Sequence, residues 1–246
     1  MSHSTQKTAL VTGASRGIGK AIAERLAREG FTVVVNYVGG KADADSVVHT
    51  ITQSGGQAVA IQADISKAED VVQLFDAAIQ IHGQLDVVVH NAGAMSTAPI
   101  ALESLAEMDK MLHINLRGAF LVLAQAGERL ASGGSIIALS TSVIAKSFPG
   151  YGPYIASKAG VEGLVRVLAN ELRGKDITVN AVAPGPVGTE LFYRGKSDEL
   201  VDQLAKQTPL ERIGTPDDIA GVVAMLAGPD GRWVNAQVIR ANGGFA

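Results

Sequence analysis

The stretch Thr12-Gly13-Ala14-Ser15-Arg16-Gly17-Ile18-Gly19 decides the fold. Its three glycines form the pattern G-x-x-x-G-x-G between two segments of different periodicity. The apolar run Thr8–Thr12 precedes it, and Ile18, Ile22 and Leu26 follow at helical spacing. Glycine in such a turn permits positive φ, lets backbone N–H groups approach a phosphate, and lets helix pack closely on strand. The helix that follows points its unpaired N–H groups and positive dipole end at the same spot. Strand, glycine turn and helix together predict a dinucleotide phosphate site.

Outward from this turn the same alternation repeats. Strand candidates are Thr8–Thr12, Thr32–Asn36, Ala58–Gln62, Asp86–His90, Ser135–Ser140, Thr178–Val182 and Ala236–Ile239. Most are continuously apolar, as strands buried on both faces of a parallel sheet must be. Helical patterns fall between them at Ile18–Glu29, Ala42–Gln53, Ala68–His82, Leu105–Leu130 (with a possible break), Ile155–Arg173 and Pro216–Ala227. This order predicts an α/β fold: one Rossmann-type, doubly wound parallel sheet of about seven strands, helices on both faces, and right-handed crossovers. No linker or composition shift divides residues 1–246, so a single domain is expected. Residues 183–216 form the one long connection that is not a plain helix, and suit a substrate-covering segment.

Composition narrows the function classes. The chain has 246 residues, 47% of them hydrophobic and 18% charged, with a net charge of −3. A nucleic-acid surface or a polybasic membrane patch is not expected from that balance. The absence of cysteine removes disulfides, thiolate nucleophiles and Cys-ligated metals. The five histidines (3, 49, 82, 90, 113) lack metal-ligand spacing, and no metal is expected. The polar start MSHSTQK lacks a signal-peptide pattern, and no apolar run is long enough for a membrane span, so a cytoplasmic location is expected.

Two further features suggest chemistry. An acidic residue at the end of the second strand would hold a ribose 2′-hydroxyl. Asn36-Tyr37 stands there instead, which leaves a 2′-phosphate unrepelled. Arg16, and secondarily Lys41, are cations able to pair with that phosphate, so NADP(H) is expected over NAD(H). Tyr154 and Lys158, at i and i+4, share one helical face. An ammonium beside a phenol lowers its pKa from about 10 and makes it a usable acid and base. Ser140-Thr141-Ser142 ends a strand shortly before, where a hydroxyl can point into the ligand crevice.

These residues resemble the short-chain dehydrogenases/reductases, and the resemblance spans nearly the whole chain. Gly13, Gly17 and Gly19 are similar to the family's cofactor turn. Asp64 stands where an acidic residue usually meets the adenine, and Asn91-Ala92-Gly93 is similar to the N-A-G signature. Asn115 matches the family's asparagine, Tyr154-x-x-x-Lys158 its active pair and Pro184-Gly185 the P-G beside the nicotinamide. Asn242-Gly243-Gly244 resembles the usual D-G-G ending, with Asn for Asp. The resemblance implies dinucleotide contacts from Gly13, Ser15, Arg16, Gly17, Ile18, Gly19, Asn36, Tyr37, Asp64, Ile65, Asn91, Ala92, Gly93, Tyr154, Lys158, Pro184, Gly185, Val187 and Thr189. It implies catalysis by Asn115, Ser142, Tyr154 and Lys158. Thirteen residues before Tyr154 stands Thr141, and Ser142 is twelve before. Ser142-Val143-Ile144 is similar to the family's S-V-x, so Ser142 is the expected hydroxyl and Thr141 the alternative.

The implied reaction is hydride transfer between nicotinamide and the carbonyl or secondary alcohol of a small molecule. Tyr154 would move the proton, Ser142 orient the oxygen, Lys158 lower the phenol pKa and Asn115 hold a water toward Lys158. The chain also resembles 3-oxoacyl-acyl-carrier-protein reductases. Arg129 beside Glu128, and the isolated Lys175, do not make the basic patch an acidic carrier protein needs. A cofactor-binding scaffold without turnover is a third reading, opposed by the complete catalytic set. Relatives imply a homotetramer. Asp217-Asp218 after Thr215-Pro216 reads as a helix cap, Trp233 as a packed residue, and Phe192 and Tyr193 as side chains of the covering segment.

Overall fold

The computed structural model describes residues 6–246; the polar start read against a leader and His3 lie largely or wholly outside that range. The strands are β1 (Thr8–Val11), β2 (Thr32–Tyr37), β3 (Gln57–Gln62), β4 (Val87–His90), β5 (Ser135–Leu139), β6 (Thr178–Pro184) and β7 (Val238–Ala241). They form one seven-stranded sheet in the order β3-β2-β1-β4-β5-β6-β7. Every pairing is parallel. The strand order reverses direction between β1 and β4, and that switch point opens a crevice at the carboxyl ends of the strands.

Helices α1 (Gly17–Arg28), α2 (Lys41–Gln53), α3 (Ala68–Gln80), α4 (Leu105–Met111), α5 (Gly118–Arg129) and α6 (Gly152–Glu171) precede two short ones, α7 (Glu190–Tyr193) and α8 (Asp198–Lys206); α9 is Pro216–Ala227. One face of the sheet packs on α1, α2 and α9 through residues such as Ile22, Leu26, Val47 and Val223. The other packs on α3, α5 and α6 through Leu74, Phe75, Val122 and Val165. Strands β1, β2, β4, β5 and β6 are buried throughout, whereas edge strand β3 is partly exposed. Phe75 has no exposed surface. Phe75→Ala is expected to cost about 3–5 kcal/mol, read as a lower Tm.

Three sequence expectations shift. The pattern over 105–130 is broken by a π-helical turn, Leu112–Arg117, which carries Asn115. Strand β7 begins at Val238 and not Ala236, because Ala236 sits at φ 59° and cannot extend the strand. Trp233 is not packed; it is 98% exposed. The Thr215 cap is as expected: its side chain accepts from Asp218 N–H, and Asp218 returns the bond.

Candidate active site

The glycine turn is shaped by close contact. A Cβ on Gly13 would stand 2.9 Å from Ala92 Cα, and Gly13 has φ +62°; one on Gly19 would stand 2.4 Å from both Asn91 Nδ2 and Gly13 O. Asn91 Nδ2 donates to Thr12 O and Gly13 O at 3.0 Å each. The N-A-G segment thus clamps the turn from β4. Helix α1 has no side-chain cap and no acidic residue in its first turn, whereas α3, α8 and α9 carry acidic residues there. The α1 N-terminus is therefore left for an outside anion, and the glycine cradle leaves room for one; both fit a dinucleotide pyrophosphate. Ser15 and Ile18 are half-buried in this turn.

At the end of β2 the arrangement differs from expectation. Asn36 is buried and committed to the fold: its Oδ1 accepts from Gly13 N–H at 3.3 Å, and its Nδ2 donates to Ala63 O at 3.1 Å. Asn36 therefore braces the glycine turn with its side chain. Tyr37 is also buried. Lys41 donates to Asp45 at 2.6 Å and is not a free second cation. Arg16 is exposed at the N-cap of α1, and no described residue forms an ion pair with it. Asp64 Oδ1 accepts from Ser66 N–H and Oγ–H, and the Ser66 N–H holds its carboxyl below the usual range. Ile65 is buried against Gly118.

The reacting groups converge at the carboxyl ends of β5 and β6. Helix α6 carries Tyr154 and Lys158 one turn apart. Lys158 is only 5% exposed, and its Nζ donates to Leu139 O at 2.7 Å. Burial lowers the Lys158 ammonium to about 8. Burial raises Tyr154 to about 12, against a hydrogen bond with Thr141 that lowers it. The expected lowering of the phenol by Lys158 does not appear, because desolvation of the phenolate dominates.

The two candidate hydroxyls differ in their surroundings. Thr141 is still extended at φ −158°, its Oγ1 accepts from Val143 N–H at 3.3 Å, and it acts to lower the Tyr154 phenol pKa. Ser142 begins a 3₁₀ turn, Ser142–Ala145, that curls it toward β6. Its Oγ donates to Ala183 O at 2.8 Å and accepts from Asn242 Nδ2 at 2.9 Å. Ser142 is thus tied to β6 and to the stretch after β7, and Thr141 to the turn that follows it.

Asn115 uses its side chain within the fold. Its Oδ1 accepts from Ala94 N–H at 2.8 Å, and its Nδ2 donates to Ala94 O at 2.9 Å and Ser157 Oγ at 3.0 Å. Ser157 Oγ donates to Tyr154 O at 2.7 Å, so Asn115 ties the loop after β4 to the first turns of α6. A Cβ on Gly93 would meet Asn115 Oδ1 at 3.0 Å and Lys158 Nζ at 3.4 Å. His90 is fully buried next to Lys158; burial lowers it to about 3 and keeps it neutral.

Pro184-Gly185 ends β6, where a Cβ on Gly185 would meet Asn242 Cβ at 2.8 Å. The covering segment opens at Val187, which is buried and bridges Gly214, pinning both ends of the loop together. Thr189 caps α7 and stands against Gly17, its Cγ2 3.4 Å from where a Cβ would be. Among the described residues no group of three or more His, Cys, Asp or Glu could hold a metal ion, and no helix is long and apolar enough to cross a membrane.

A nucleotide cradle at a β–α switch point, with a hydroxyl, a phenol and an ammonium at its far end, defines an oxidoreductase of the Rossmann-type class. A family model described as enoyl-(acyl carrier protein) reductase matches residues 13–246. A short-chain type dehydrogenase/reductase of Picea abies is 44% identical, over 97% of this chain and 92% of its own. An NADPH-dependent aldehyde reductase-like protein, chloroplastic, of Arabidopsis thaliana is 42% identical, over 97% and 94%. A crystal structure of a short chain dehydrogenase from Burkholderia cenocepacia in complex with NADP matches with TM-score 0.91 and 34% identity, covering 98% of each chain. The chain belongs to the short-chain dehydrogenase/reductase family.

Proposed function

We propose that this chain is an NADPH-dependent reductase of a small-molecule carbonyl, with Tyr154 as the proton donor. The observation that carries it is the placement of Tyr154 and Lys158 one helical turn apart, with Lys158 Nζ on Leu139 O and against Gly93 of the N-A-G segment that clamps the cradle. The cofactor, when bound, supplies the hydride. The chain supplies the rest. Thr141 and Tyr154 hold the carbonyl oxygen, and Tyr154 passes its proton to that oxygen as the alcohol forms. Lys158 then faces the phenolate with its positive charge, and Asn115 is a positioning residue. Residues 183–216 cover the substrate. A phenol held near 12 is protonated at neutral pH, which suits reduction.

A free small molecule suits the surface better than an acyl carrier protein. Arg129 is paired with Asp76 at 2.5 Å, and Lys175 donates to Gly127 O at 3.1 Å, so neither cation is offered to an acidic partner. Assembly as a homotetramer is in keeping with apolar side chains left outside: Phe120 on α5, Val167 on α6 and Trp233 before β7. Light scattering would read four chain masses for a tetramer and one for a monomer.

The cofactor choice rests on Arg16 and on the lack of a carboxylate at the end of β2. Titration with NADPH and NADH should give markedly tighter NADPH binding. Arg16→Ala should weaken NADPH about ten- to hundredfold and leave NADH nearly unchanged, as expected for loss of a charge-assisted phosphate contact. Equal affinity of the native chain for both cofactors would refute the assignment.

A further inference from the structure

Aromatic side chains are scarce in this chain and unevenly placed. The sequence holds six Phe, four Tyr and one Trp. The two large core clusters are built mostly of Val, Ala, Leu and Ile, with Phe31, Tyr37 and Phe75 their aromatic members. Phe148, Tyr151, Tyr154, Phe192, Tyr193 and Phe245 lie instead on the segments around the reacting groups: the β5–α6 connection and the start of α6, the covering segment, and the stretch after β7.

Three of these rings form one wall. Phe148 is central, its ring centroid 5.9 Å from Tyr151 and 6.3 Å from Phe245, tilted to both. Phe245 is buried, and Lys146 Nζ stands 4.7 Å from its centroid. Phe245 therefore backs the wall. Phe148 and Tyr151 are half-buried and keep ring surface open. Tyr151 is the N-cap of α6, three residues before Tyr154, so the wall adjoins the turn that carries the phenol.

The wall is fixed from several sides. Ser147, directly before Phe148, holds φ 52°, a left-handed conformation that a non-glycine residue keeps only when its surroundings enforce it. Tyr151 N–H donates to Phe148 O at 3.2 Å, and Ala98 N–H to Gly150 O at 2.8 Å. Asn242 Nδ2 joins the stretch after β7 to Ser142. Rings held this way lose little freedom when a ligand packs on them, and flat apolar groups gain most from offset or tilted contact.

The geometry points to an aryl-bearing carbonyl compound as the substrate class, its ring packed on Phe148 and Tyr151 and its carbonyl oxygen directed to Thr141 and Tyr154. This assignment rests on the reductase reading above.

The test compares kcat/KM for phenylacetaldehyde and butanal at saturating NADPH; neither carbonyl is conjugated. The expected result is a preference for the aryl substrate of at least about tenfold. Phe148→Ala should bring the ratio close to one, Phe148→Leu should lower it partly, and Tyr151→Phe should keep it, with thermal unfolding checking that each variant folds. Similar values for the two substrates, or a ratio that Phe148→Ala and Phe148→Leu both leave unchanged, overturns the assignment and leaves the reductase reading standing. Reduction of neither substrate overturns both.

Discussion

Tyr154→Phe will lower kcat for carbonyl reduction by about a thousandfold or more, and will leave the Kd for the reduced dinucleotide within about twofold. The substitution deletes one oxygen. The ring that packs at the start of α6 stays, and the glycine cradle is built from β1, β4 and α1, away from the phenol. Binding and chemistry therefore separate. The pH profile adds a second readout. Tyr154 is protonated up to about 12, so its own titration does not limit reduction near neutrality. Lys158 loses its proton near 8. Below that pH its charge faces the phenolate formed as Tyr154 gives up its proton; above it, that support is lost. Reduction should fall as pH rises through about 8. Full activity in the variant would remove Tyr154 from the mechanism. A rate unchanged from pH 7 to 10 would remove the charge on Lys158 from it.

Most of the scaffold was legible because burial on two faces writes itself as continuous apolar runs, and strands such as Val33-Val34-Val35 and Val87-Val88-Val89 have no other simple reading. The glycine turn was legible because its stereochemistry excludes side chains: Gly13 meets Ala92, and Gly19 meets Asn91. What was not legible depends on contacts distant in sequence. The possible break in the 105–130 pattern falls at the π turn Leu112–Arg117, and only the contacts with Ala94 and Ser157 show what Asn115 does there. Asn36 reads as an open end of β2 until Gly13 and Ala63 are seen to use its amide. Tyr154 next to Lys158 predicts a lowered phenol pKa, but burial is a property of the assembled crevice and reverses it. Phe148 and Phe245 meet only in three dimensions.

The neighbouring hydroxyls Thr141 and Ser142 give the sharpest contrast between the sequence reading and the fold. With Thr141 assigned as the second hydroxyl, Thr141→Ala should lower kcat about a hundredfold with little change in Tm, because among the described residues Thr141 Oγ1 holds only a long bond from Val143 N–H at 3.3 Å. Thr141→Ser keeps the hydroxyl and should recover most of the rate. Ser142→Ala should do the reverse. It leaves Ala183 O and Asn242 Nδ2 without their partner in a site only 1% exposed, at a cost of about 1–3 kcal/mol. Its kcat should stay within about tenfold of the native value, since the Ser142 hydroxyl donates to the β6 backbone. Steady-state kinetics and thermal unfolding of the two alanine variants thus form a crossed pair, one losing rate and the other stability. If Ser142→Ala instead abolished turnover while Thr141→Ala spared it, Ser142 would have to leave Ala183 on ligand binding, and the bond that fixes it in the free protein would be a latch and not a permanent tie.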